Sequence, residues 1–94
     1  MKIAAVLHDE YFGTVQLIEK DVADDATSQQ IWENITGIKD RSPQHSRPGY
    51  IEDWDAYGSK HNGMLTRIWW GANAGEAKEK YQEIRQSGVP DAIG

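Results

Sequence analysis

The stretch MLTRIWWG, residues 64–71, reads as the best strand of the 94-residue chain. It is rich in β-formers and bounded by HNG (61–63) and GAN (71–73), both turn-forming. Successive strand residues point to opposite faces. Met64, Ile68 and Trp70 are therefore expected to face the core, and Leu65, Arg67 and Trp69 the other way. In a two-layer domain that second face meets solvent, unless Tyr50 or Trp54 folds back over Trp69. Arg67 and Trp69 then lie two residues apart on one face, within reach of stacking or cation–π contact.

Downstream, NAGEAKEKYQEIRQSGV is the best helix. Asn73 is the expected cap, with Glu76 in the capping-box position. Ala74, Ala77, Tyr81 and Ile84 share one face, and Glu76 and Lys80 form an i,i+4 pair. Gly88 closes the helix, Val89 can return to Ile84, and Pro90 blocks continuation. Residues 89–94 read as a flexible tail.

Upstream, KIAAVL (2–7) and TVQLIEKDV (14–22) are two apolar runs joined by HDEYFG, an antiparallel hairpin with a polar link. Thr27 and Gln30 form a capping box, Ile31, Trp32 and Ile35 an apolar stripe, and Gly37 a closing position. A helix over Ser28–Thr36 follows, too short to persist unless packed. Residues 39–63 hold two of the three prolines and read as an irregular insert, pinned by Tyr50, Ile51, Trp54 and Tyr57. Its YIEDWDAY segment suits a short strand or one helical turn. The expected fold is a small two-layer α+β domain spanning 1–94. Its order is hairpin, helix, insert, strand, helix (β-β-α-insert-β-α), with both helices on one face of an antiparallel sheet.

Composition narrows the function. The chain has no cysteine, so disulfides, thiolate nucleophiles and Cys-ligated zinc are excluded. No run of about 18 apolar residues is present, and the N-terminus lacks a signal-peptide pattern, so a cytoplasmic protein off the membrane is expected. Net charge is −5, which disfavours direct nucleic-acid binding through phosphate neutralisation.

No nucleophile–base pattern, phosphate-cradling glycine loop or His-Glu-x-x-His motif occurs, so no catalytic residue and no cofactor is assigned. His8 and His61 with Asp53 or Asp55 are the residues that would serve a metal-dependent enzyme, the lowest-ranked reading. The insert is more informative. Lys39, Arg41, His45 and Arg47 make a basic half, and Glu52, Asp53 and Asp55 an acidic half interleaved with aromatics. Trp, Tyr and Arg are over-represented at binding hot spots. Arg47, Tyr50, Trp54, Tyr57, Arg67 and Trp69 are therefore the candidate binding residues. The reading they support is a small acidic module that docks on a protein partner, as an inhibitor of the kind phages and mobile elements encode, or as an accessory subunit. The alternative is a small-ligand or nucleotide binder, with Trp69 and Tyr50 stacking a base while Arg47 and Arg67 meet phosphate.

Overall fold

The fold was obtained as a computed structural model, which describes residues 1–54 and 63–93. Five strands form one sheet: β1 (Lys2–Asp9), β2 (Thr14–Asp21), β3 (His45–Arg47), β4 (Tyr50–Trp54) and β5 (Met64–Trp70). Their order is β2-β1-β5-β4-β3, and every neighbouring pair is antiparallel. Helix α1 (Ser28–Thr36) follows β2. Helix α2 (Gly75–Gln86) follows β5 after a short 3₁₀ turn over Gly71–Asn73. The α+β class and the expected order of hairpin, helix, strand and C-terminal helix hold.

The helices do not share a face. Ile3, Ala5, Ile51 and Ile68 pack with Ile31 and Trp32 of α1. Ala4, Val6, Val15 and Trp69 pack with Ala77 and Ile84 of α2. These two sets alternate along the strands, so α1 covers one face and α2 the other. The reason lies in β1, where Ile3, Ala4, Ala5 and Val6 are all buried in succession. A strand apolar at every position needs cover on both sides.

The two tryptophans of β5 follow the same alternation, with a correction to their roles. Trp69 is only 5% exposed, enclosed by the α2 cluster. Trp70 is half-buried at the margin of the α1 cluster. Trp69 is thus the core residue and Trp70 the marginal one, because α2 covers the face that a two-layer domain would leave open.

Two further expectations are corrected. The insert is not irregular throughout, since residues 45–54 form a hairpin that extends the sheet. Pro48-Gly49 makes its turn, and Gly49 has φ +82, which a type II turn requires at its third position. A Cβ there would also collide with the Asn73 side chain. The C-terminal segment is tied down rather than loose. Val15 N–H donates to the Pro90 carbonyl at 3.0 Å, and Ala92 N–H to the Val15 carbonyl at 2.9 Å. The Tyr81 hydroxyl donates to Asp91 Oδ2 at 2.6 Å. No helix among the described residues is long and apolar enough to cross a membrane.

Candidate functional site

Among the described residues, α2 covers only part of its side of the sheet. The Cα register places three rows of side chains across it. One row runs Arg47, Tyr50, Trp69, Ala4; the next runs His45, Glu52, Arg67, Val6; the third runs Trp54, Leu65, His8, Val15. Helix α2 packs on the β1 and β2 end of these rows, on Ala4, Val6, Val15 and Leu17. The β3 and β4 end carries polar and aromatic groups instead. There Gln44, His45, Ser46, Arg47, Tyr50 and Glu52 line an open groove of about 470 Å³.

Its organising residue is Tyr50. The ring lies 5.1 Å from the Trp69 ring, centroid to centroid, and the Arg47 guanidinium stands 4.5 Å above it on the outer side. A cation–π contact and a tilted ring pair thus lead from solvent to the core. The Tyr50 hydroxyl donates to Glu52 Oε1 at 2.9 Å. Burial, and then this hydrogen bond to a carboxylate, push the Tyr50 phenol up from 10.0 to about 12. An ionised Tyr50 is therefore disfavoured in the folded chain. The stability drawn from Tyr50 is whole below pH 10 and is lost as pH rises from 10 towards 12. In an ultraviolet titration, the wild type should show a late-ionising tyrosine with a midpoint near 12 that Tyr50→Phe removes. The Tyr81 phenol, raised by its hydrogen bond to Asp91, remains in both traces as an internal reference.

Arg67 is half-buried, and its Nε is enclosed yet has no hydrogen-bond partner among the described residues. Arg67 lies directly across from Glu52 in the strand pairing. The arginine–carboxylate bridge among the described residues is on the other face, where Arg41 Nη2 meets Asp53. Of the sequence-predicted binding residues, Arg47 and Tyr50 line the groove, and Trp54 and Arg67 lie on the same face of the sheet. Trp69 lies beneath Tyr50, so it is a support and not a contact. That removes the ring on which a nucleobase was expected to stack. Tyr57 lies outside the described residues.

The two described members of the metal set lie on opposite faces of the sheet. His8 points to the α2 side, whereas Asp53 is fully buried on the α1 side and held by Arg41 at 2.7 Å. Asp55 and His61 lie outside the described residues. Among the described residues no three His, Asp or Glu side chains cluster as metal ligands.

A second feature was not anticipated. The large hydrophobic side chains exposed among the described residues are Tyr11 at 73%, Phe12 at 63%, Ile93 at 79% and Trp54 at 36%. Tyr11, Phe12 and Trp54 belong to one end of the sheet, and Ile93 lies beside the outer edge of β2. Tyr11 and Phe12 form the β1–β2 turn, Trp54 ends β4 in the row of His8, and Ile93 follows Asp91, which bridges to Val15. The turn is rigid. Asp9 Oδ1 accepts from both the Tyr11 and Phe12 N–H groups at 2.9 Å, and Glu10 N–H donates to the Gly63 carbonyl at 3.0 Å. The two rings meet edge to face at 5.0 Å. The sequence signal was present: two adjacent aromatics in a hairpin turn cannot both be buried beneath it. No protein-family model matches the chain, and comparisons with curated proteins and with solved structures found no significant match, so the residues and their geometry carry the functional argument alone.

Proposed function

We propose that this chain is a protein-binding module that acts in the cytoplasm by docking on a partner, as an inhibitor of the phage or mobile-element type or as an accessory subunit. The observation that carries this reading is the exposure of Tyr11, Phe12 and Trp54 at one end of the sheet. Exposed aromatics on a preformed turn lose little entropy on binding and supply large contact areas. Contiguous exposed apolar surface marks interaction sites more often than scattered single residues do. Trp54 connects this end to the groove at Arg47 and Tyr50, so anchor and polar rim are continuous. A small-ligand function has less support, because base stacking would need Trp69 and would have to displace Arg47 from Tyr50.

The test is site-specific photocrosslinking in host extract, with the reactive residue in place of Phe12, Trp54 or, as control, the exposed Glu79 of α2. The expected result is one discrete adduct from the Phe12 and Trp54 positions and none from Glu79. Excess unlabelled wild type should compete it away, and the double variant Tyr11→Ala, Phe12→Ala should not. An adduct of twice the chain's mass would show self-association and overturn the reading, as would equal labelling from all three positions.

A further inference from the structure

We infer that the groove beside β3 receives an extended, acidic segment of the protein partner. Its backbone would run along the outer edge of β3, and a carboxylate would sit against Arg47 and Arg67. This rests on the protein-binding reading above and names the chemistry of the partner.

Three observations converge on it. First, β3 ends the sheet, and its outer edge pairs with no strand among the described residues. All three of its residues are exposed. An edge of this kind can accept another strand by main-chain hydrogen bonding. Pro43 and Pro48 flank it closely. Prolines beside a short edge strand guard against promiscuous pairing. Main-chain pairing is thereby limited to about one short run, and side-chain contacts must supply selectivity.

Second, the groove opens beside that edge, and β3 itself contributes His45, Ser46 and Arg47 to its lining. A strand added to β3 would direct every second side chain toward the same face. Its alternate residues would therefore enter the groove while its backbone paired with β3.

Third, the charge is inverted here. The protein carries −5 overall, yet among the described residues this face of β3, β4 and β5 presents His45, Arg47 and Arg67 against the carboxylate of Glu52. Glu52 is already engaged by the Tyr50 hydroxyl. Among the described residues the Arg47 guanidinium meets the Tyr50 ring, and Arg67 Nε has no acceptor. Guanidinium groups match carboxylates in shape and charge. The acidity of the rest of the molecule opposes a continuous phosphate backbone, which demands many cations. A polypeptide with a few spaced carboxylates meets both constraints.

The test is an NMR titration of the isotope-labelled protein with an acetylated, amidated peptide of alternating Glu and Thr. The controls are the same peptide with Gln for Glu, free glutarate, and inorganic phosphate. The expected result is saturable shifts confined to β3, β4 and the neighbourhood of Arg67, weakened by salt and absent with the Gln peptide. Arg47→Gln should weaken binding about tenfold, the loss of one charge-assisted hydrogen bond. Arg47 is exposed, so that variant should keep the wild-type melting temperature; Arg67→Gln serves as a second variant. Equal binding of the Gln peptide, an unchanged affinity in Arg47→Gln, or no saturable shift would overturn the inference. Glutarate or phosphate binding as tightly as the peptide would overturn the strand component, leaving a plain anion pocket. A negative titration beside a positive Phe12 crosslink would refute this inference while the docking function stood. Failure of both would refute both.

Discussion

Trp32→Ala is expected to leave little folded protein. Trp32 is fully buried on α1, and with Ile31 it joins Ile3, Ala5, Ile51 and Ile68 in the core of that face. Truncating a buried aromatic costs about 4 kcal/mol, because transfer energy is lost and a cavity remains. A domain of this length has on the order of 5–10 kcal/mol of stability in total. Helix α1 is nine residues long and cannot persist once its anchor is gone. The expected signature is a broad or absent thermal transition and collapsed amide dispersion. Trp32→Phe should be far milder, since it keeps most of the apolar volume. It also deletes an indole N–H that is buried without an acceptor among the described residues. A cooperative transition in Trp32→Ala near that of wild type would show that α1 is dispensable to the sheet.

Arg41→Ala is expected to be nearly as damaging, by a different route. Arg41 Nη2 lies 2.7 Å from both oxygens of Asp53, which has no solvent exposure. The same guanidinium stands 6.0 Å from the Trp32 ring, and the Arg41 carbonyl accepts from Gln29 of α1 at 3.3 Å. One residue thus joins β4, α1 and the segment between them. Removing one partner from a buried ion pair costs more than the pair contributes, because the remaining charge stays out of water; about 3 kcal/mol is expected. Arg41→Lys should recover only part, since a point charge replaces a planar fork. The double variant Arg41→Ala, Asp53→Asn should be more stable than Arg41→Ala alone. Urea denaturation of the four proteins forms the test, and a loss below about 1 kcal/mol in Arg41→Ala would place the pair among ordinary surface bridges.

The helices were the most legible part of the sequence. The capping box of α1 is present in both directions, with Gln30 N–H donating to Thr27 Oγ1 at 3.1 Å and Thr27 N–H to Gln30 Oε1 at 2.9 Å. Gly37 closes it at φ +73. Local hydrogen bonding decides such features, so local sequence reveals them. The start of α2 was read less well. The chain leaves β5 through a 3₁₀ turn that absorbs Asn73, and Ala74 takes the capping position without a side-chain bond. Lys80 reaches Glu83 at 3.2 Å rather than Glu76.

Long-range choices were harder to see. Which face each helix takes depends on crossover geometry, although the unbroken IAAV run of β1 carried the clue of two-sided burial. The expectation that Arg67 and Trp69 share a face was right. What the sequence does not state is that α2 stops partway across that face, covering Trp69 and leaving the side of Tyr50 and Glu52 open. Arg47, Tyr50 and Trp54 were legible as surface candidates because the insert held more aromatics than a loop requires. Tyr11 and Phe12 were hidden in a link whose neighbours are polar.

The strand order has a consequence for how the chain is made. Strand β1 is paired with β2 nearby in sequence, but its other neighbour is β5, with Ile3 opposite Trp70. Strand β4 also depends on β5, with Tyr50 opposite Trp69. A nascent chain that has emerged only as far as β4 holds two separate hairpins, each too small to be stable alone. Strand β5 is the keystone: it enters between them and creates the continuous surface on which both helices pack. Such non-local pairing makes for slow folding. The sheet is therefore completed only when β5 joins the two hairpins, and not strand by strand in sequence order.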